Sequence, residues 1–306
     1  MNPILAEILE IPEKALIALQ SEVIELPLKV PYLGMGSSYF APLAFKYMGI
    51  DIQPEIASEY FTYLSFNKKK PLAVILSQSG KSTEALWCSQ LFDRYIAVSN
   101  LTHNALSTAA NVAGVVAMQA GEEQYSSSKT FINTLIVLFK GFGLDPAAAV
   151  ELLIKKMDEY EHKGKQMAED VYALLTQKHV HGIYITGSGP NIGTAMEAAL
   201  ILSESTKISF QGLPMAQYDH GPKETAEHSL VIQILAKGKS YERSLKLSET
   251  IKASGAYVMT VEEPEAEEHF SILHNIVPFN FMAYYLSQKM GITDTFTVGG
   301  KVTEVV

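Results

Sequence analysis

Three short segments of this chain gather small and hydroxyl-bearing residues where an apolar run gives way to a helix-like pattern. They are Gly34-Met35-Gly36-Ser37-Ser38, Leu76-Ser77-Gln78-Ser79-Gly80-Lys81-Ser82-Thr83 and Ser126-Ser127-Ser128-Lys129-Thr130. Glycine lets the backbone approach a ligand closely, and a helix that starts there offers unpaired N–H groups, so such a turn suits an anion. In the second segment Ser77, Ser79, Ser82 and Thr83 crowd one turn, more hydroxyls than the capping of a single helix needs. A Gly-x-x-x-x-Gly-Lys-Ser nucleotide loop is not present, because Ile75 stands where its first glycine belongs. A sugar phosphate therefore fits the turn better than ATP. Taken singly, the first segment serves close packing equally well, and the third reads equally as a serine-rich loop.

Acid–base candidates come later in the chain. Glu197 and Glu204 are separated by two helical turns in a stretch rich in Ala and Leu, which sets them on one face. A carboxylate there is either a surface residue beside an apolar stripe or a base tuned by burial. His220 lies in a loop punctuated by Gly221 and Pro222, and Lys301 follows Gly299-Gly300. Alone, each is an ordinary surface residue. No metal and no cofactor is called for.

The elements that must carry these residues follow from the hydrophobic pattern. Short runs at Pro31–Met35, Leu72–Ser77, Tyr95–Ser99 and Val112–Met118 alternate with amphipathic stretches, the mark of βαβ units and a parallel sheet. A charged, helix-periodic stretch over 146–177 has Leu152, Leu153, Met157 and Tyr160 on one face and reads as a helical connector. The alternation then resumes at Val180–Thr186, Leu230–Leu235 and Ala256–Thr260, with Ile276-Val277 leading into a last helix. Each half opens on a strand that ends in a small-residue turn, Gly34 to Ser38 first and Gly187-Ser188-Gly189-Pro190-Asn191 second, so the chain contains a weak internal repeat. The expected organisation is an N-terminal helical segment over 1–24, a first α/β domain over 25–145, the connector over 146–177, a second α/β domain over 178–292, and a tail over 293–306.

Composition limits the function classes. With 306 residues, 47% of them apolar and 19% charged, the chain is long and apolar enough for two packed cores. A net charge of −9 without any basic run argues against nucleic acid. The single cysteine, Cys88, precludes an intrachain disulfide, and the acidic start, with Glu7, Glu10 and Glu13, does not read as a signal peptide. No apolar run reaches the roughly 20 residues of a membrane span. A cytoplasmic protein away from membranes is expected.

In order along the chain, Gly36-Ser37-Ser38-Tyr39, Glu55-Ile56-Ala57-Ser58-Glu59-Tyr60, Leu76-Ser77-Gln78-Ser79-Gly80, Ser128-Lys129, the run from Ala199 to Pro222 and Lys301 resemble the sugar isomerase (SIS) domains of the isomerase half of glucosamine-6-phosphate synthase. The resemblance covers almost the whole chain. It implies two tandem SIS subdomains, each a parallel five-stranded sheet flanked by helices in a flavodoxin-like three-layer sandwich, with the tail lying over the active site. It also implies that Ser38, Ser77, Gln78, Ser79 and Ser82 hold a sugar 6-phosphate, with Gly36, Ser37, Ser127, Ser128 and Glu197 also contacting substrate. Glu204 matches the base that moves a proton between C1 and C2, His220 the residue that opens the sugar ring, and Lys301 the amine that forms a Schiff base with the open-chain ketose. The family pattern places the His220 loop in the active site of a neighbouring subunit, hence a homodimer.

The departures are as informative. Lys81 stands where the synthase has an acidic residue, the loop before Ser128 is about one residue shorter, and a glutamine-hydrolysing half with its N-terminal cysteine is missing from the sequence Met1-Asn2-Pro3 onward. Without that ammonia supply the chain looks like the SIS-type glucosamine-6-phosphate deaminases, which yield fructose 6-phosphate and ammonia. A fructosamine-6-phosphate deglycase, an ammonia-dependent glucosamine-6-phosphate isomerase and a non-catalytic sugar-phosphate sensor are the alternatives. The sensor reading leaves the Glu/His/Lys set without a purpose.

Overall fold

A computed structural model describes residues 2–65 and 68–302. The chain forms two compact units. One contains Leu9–Val150 together with residues 296–302, and the other contains Glu151–Thr295 together with residues 2–8. Thus each unit takes a short terminal segment from the opposite end of the sequence.

The first unit is built on a parallel sheet of β1 (Pro31–Gly34), β2 (Gln53–Ile56), β3 (Lys70–Leu76), β4 (Phe92–Ser99) and β5 (Val112–Ala117), in the order β2-β1-β3-β4-β5. Strand β1 is buried throughout, as expected of a parallel strand covered on both faces. Helices α1 (Pro3–Leu9) and α2 (Ile11–Gln20) precede the sheet, and α3 (Ser37–Met48), the single turn α4 (Ala57–Glu59), α5 (Thr83–Ser89) and α6 (Lys129–Gly141) lie between or after its strands. Helix α6 is buried on nearly every side, its polar residues Lys129, Thr130, Asn133 and Thr134 included.

Helix α7 (Ala147–Gln177) leads into the second unit. Its buried positions Val150, Leu153, Met157, Tyr160, Gly164, Met167 and Val171 alternate at spacings of three and four, a continuous seam on one face. At Gly164 an added Cβ would lie 2.5 Å from both Phe281 Cβ and the Pro278 carbonyl oxygen, so the glycine permits close approach of the last helix.

The second sheet holds β6 (Ile183–Gly187), β7 (Gln211–Pro214), β8 (Leu230–Ile234) and β9 (Tyr257–Val261), all parallel, in the order β7-β6-β8-β9. Helices α8 (Asn191–Thr206), α9 (Met215–Asp219) and α10 (Tyr241–Ala253) connect these strands, and α11 (Ile272–Asn275) and α12 (Val277–Lys289) follow them. The α/β class with two parallel sheets matches the sequence expectation, but among the described residues the second sheet has four strands where five were expected. After β9 the chain turns helical instead. Asn275 accepts a hydrogen bond from the Glu263 N–H and donates to the Leu235 carbonyl, closing the ends of β8 and β9, and Pro278 in the first turn of α12 favours helix over a paired strand.

Of the expected tail, residues 303–306 lie outside the described residues. The described part, 296–302, groups with the first unit.

Candidate functional site

In the first sheet the chain steps from β1 outward to β2 and then back to β3 on the other side, so the carboxyl ends of β1 and β3 flank a topological switch point, where open α/β sheets bind ligands. Both hydroxyl-bearing turns lie there. Gly34 ends β1, and a Cβ on it would meet the Ser38 carbonyl oxygen at 2.4 Å. This tight return puts Gly36, with φ +49, directly before α3, whose first residues are Ser37 and Ser38.

The six residues from Ser77 to Ser82 join β3 to α5. Buried Ser77 accepts the Gly80 N–H on Oγ at 3.1 Å, and its Oγ lies 3.2 Å from that of Ser82. Ser79 Oγ accepts the Lys81 N–H at 3.2 Å, while the Gln78 carbonyl accepts from Asn100 N–H and Ser99 Oγ–H. Gly80 adopts φ +64, and a Cβ there would run into the Asn104 amide, 2.0 Å away. The turn is therefore shaped from within, with Gln78, Ser79 and Ser82 partly open to solvent. The structure brings Gly36, Ser37 and Ser38 together with Ser77, Gln78, Ser79 and Ser82 at the ends of neighbouring strands.

The third hydroxyl run is organised by a residue that the sequence reading missed. Glu123, buried in the loop before α6, accepts hydrogen bonds on Oε1 from the N–H groups of Ser128 and Thr130 and from Ser128 Oγ, at 3.0–3.1 Å, and on Oε2 from Thr130 Oγ1. Ser127 Oγ lies 3.1 Å from Thr130 Oγ1. A carboxylate at a helix start is electrostatically favourable, and this one caps α6 from inside the protein. Lys301 reaches the same residue, its Nζ donating to the Glu123 carbonyl at 2.7 Å and lying 3.4 Å from Oε2. The half-buried Lys301 amine is thereby fixed instead of solvated. The signal in the sequence was the pair Glu122-Glu123 just ahead of a hydroxyl run, but its partner lies 178 residues away.

The remaining candidates belong to the second unit. Helix α8 presses onto β7 so closely that a Cβ on Gly212 would meet the Ala195 carbonyl at 2.5 Å. Glu197 is fully buried on this helix, and Glu204, two turns on, is partly buried. His220 caps α9 and is exposed. No described group of His, Cys, Asp and Glu has the arrangement of a metal site. Cys88 lies buried in α5, its thiol donating to the Ala57 carbonyl, and burial pushes its pKa up to about 12, so it is a packing residue rather than a nucleophile. No helix among the described residues is long and apolar enough to cross a membrane.

Two doubly wound parallel sheets, one with hydroxyl turns at its switch point, define the class: the fold is that of the sugar isomerase proteins. No family model matches the sequence. The solved glucosamine-6-phosphate deaminase of Thermotoga maritima superposes with a TM-score of 0.78 at 19% identity, over 95% of both chains. The C-terminal domain of glucosamine-fructose-6-phosphate aminotransferase from Francisella tularensis gives the same score and identity over 95% of this chain and 97% of that one. The Escherichia coli tagatose-6-phosphate ketose/aldose isomerase gives 0.73 at 15% identity, over 95% and 94%. In sequence, the chain is 26% identical to the isomerizing glutamine–fructose-6-phosphate aminotransferase of Pyrobaculum aerophilum, over 85% of this chain and 48% of that protein. It is 25% identical to the Pyrococcus horikoshii one over 94% and 55%. The chain thus spans about half the length of the curated relatives it matches, and the resemblance drawn from its motifs is borne out by both comparisons.

Proposed function

We propose that this chain acts on an amino-sugar 6-phosphate, converting glucosamine 6-phosphate and water to fructose 6-phosphate and ammonia. The observation that carries the reading is that one unit holds both a hydroxyl-rich turn pair suited to a phosphate and a lysine amine fixed by Glu123. That a glucosamine-6-phosphate deaminase shares the fold over 95% of both chains supports the reading.

In this reading Ser38, Ser77, Gln78, Ser79 and Ser82 anchor the phosphate through charge-assisted hydrogen bonds. His220 opens the ring by moving a proton from the C1 hydroxyl to the ring oxygen. Glu204 takes the C2 proton of the open-chain aldehyde and returns it to C1, which leaves an imine at C2. The Lys301 amine attacks C2 and ammonia departs; water then hydrolyses the Lys301 imine, giving the ketose and the free amine. The protein works as a homodimer away from membranes, and the exposed His220 loop completes the site of a second copy.

The test is to incubate the pure protein with glucosamine 6-phosphate and with fructosamine 6-phosphates, and to measure ammonia and fructose 6-phosphate. Ammonia and fructose 6-phosphate from glucosamine 6-phosphate are expected; turnover of fructosamine 6-phosphates alone would make it a deglycase, and binding without turnover a sensor. Glu204→Gln is expected to lower kcat by roughly 10²–10⁴-fold while fructose 6-phosphate still binds. Glu204→Gln and His220→Ala dimers are each expected to be inactive, and activity should return after subunit exchange, approaching one working site per mixed dimer. A mixture that stays inactive although mass spectrometry shows exchange would remove His220 from the shared site.

A further inference from the structure

The two oxygens of the Glu123 carboxylate have different partners. Oε1 is filled from the start of α6, by the Ser128 N–H, the Ser128 hydroxyl and the Thr130 N–H. Oε2 takes the Thr130 hydroxyl and faces Lys301 Nζ at 3.4 Å, while the Glu123 carbonyl accepts from the same amine at 2.7 Å. The Glu123 side chain has no exposed surface, whereas that of Lys301 keeps 22% of its own. A carboxylate so enclosed cannot touch a substrate, so any effect it has on turnover passes through its neighbours.

Lys301 needs such a neighbour. It follows Val298, Gly299 and Gly300, all exposed, so the backbone leading to it gives the side chain little support. A long side chain on such a segment samples many rotamers unless a partner holds it, and a displacement of about 1 Å can cost an attacking group on the order of 10²-fold in rate. We infer that Glu123 is the positioning residue of the Lys301 amine. The inference rests on the reading above, in which that amine attacks C2, and adds that the attack depends on a carboxylate out of reach of the sugar.

Capping α6 and holding the amine are separable by one isosteric change. In Glu123→Gln the amide oxygen keeps the three donors at Oε1. The amide NH2 then stands at Oε2, where Thr130 Oγ1 accepts from it and turns its own proton to Ser127 Oγ, 3.1 Å away. The cap survives, but Lys301 now faces a second donor where it had a charge partner.

The test compares the full wild-type chain with Glu123→Gln and with Glu122→Gln, which removes the neighbouring exposed charge. Reductive methylation, read at Lys301 by peptide mass spectrometry, reports the hold on the amine without any sugar present. In Glu123→Gln, Lys301 is expected to label about threefold faster, and kcat for glucosamine 6-phosphate to fall about tenfold. Fructose 6-phosphate affinity and the urea midpoint stay unchanged, and Glu122→Gln behaves as wild type. Unchanged labelling, an unchanged kcat, an equal effect from Glu122→Gln, or a loss of kcat that comes with a lowered urea midpoint would each overturn the assignment. Faster labelling of Glu123→Gln beside a wild type that releases no ammonia would instead overturn the proposed reaction and leave the hold on the amine standing.

Discussion

The two sheets repeat one device and then diverge within six residues. In each, the last residue of the first strand is a glycine whose added Cβ would strike a backbone carbonyl four residues on, Gly34 against Ser38 at 2.4 Å and Gly187 against Asn191 at 2.2 Å. In each, six residues join the third strand to its helix, and both connections end Gly-Lys-Ser, as Gly80-Lys81-Ser82 and Gly238-Lys239-Ser240. Yet the first carries Ser77, Gln78 and Ser79 ahead of that glycine, and the second carries Leu235, Ala236 and Lys237. Where the first turn closes on the Asn104 amide, the second has the Glu268 carboxylate so near that a Cβ on Gly238 would lie 1.9 Å from its Cδ. A negatively charged side chain already occupies the place an anion would take. The fold supplies the position twice, and side chains leave it open to the proposed phosphate once.

Three sets of variants test whether the two halves share the device. Gly34→Ala and Gly187→Ala force a methyl into backbone that cannot swing aside, and each is expected to cost about 3 kcal/mol in urea unfolding; a large cost in only one would mean the halves do not share the device. Ser77→Ala and Ser79→Ala are each expected to weaken fructose 6-phosphate by about 1.5–3 kcal/mol, while Ser240→Ala leaves calorimetric affinity unchanged. An equal loss from Ser240→Ala would move the phosphate to the second turn. The smallest effect separates the two turn glycines. Gly80→Ala pays for a left-handed residue and a displaced Asn104, about 1–2 kcal/mol of stability, whereas Gly238→Ala, which only pushes aside a flexible carboxylate, stays within about 0.5 kcal/mol.

Much of this architecture was legible in the chain. The central strands β1, β3, β4, β6 and β8 read as apolar runs because burial on both faces demands it. The edge strands β2 and β7 did not: each is four residues long, and Pro54, Gly212 and Pro214 are tolerated there only because an edge needs fewer ladder bonds. The last helix was read from Ile276-Val277 onward, but the helical turn that takes the place of a fifth strand before it was hidden, since it depends on Asn275 bridging two strand ends. Among the site residues, the hydroxyl turns announced themselves by density. Glu123 did not, because its role arises from a lysine far along the chain.

That last contact also fixes an order of assembly. The two hydroxyl turns are closed by hydrogen bonds spanning a few residues, whereas Lys301 meets Glu123 across 178 positions. Closing so long a loop is entropically slow and unrewarded until the intervening chain has folded. During synthesis, which proceeds from the N-terminus, the two hydroxyl turns can close while Lys301 has not yet been made. In the proposed reaction the attacking amine is thus the last part of the site to arrive, and a partly made chain is expected to hold a sugar phosphate without being able to attack it.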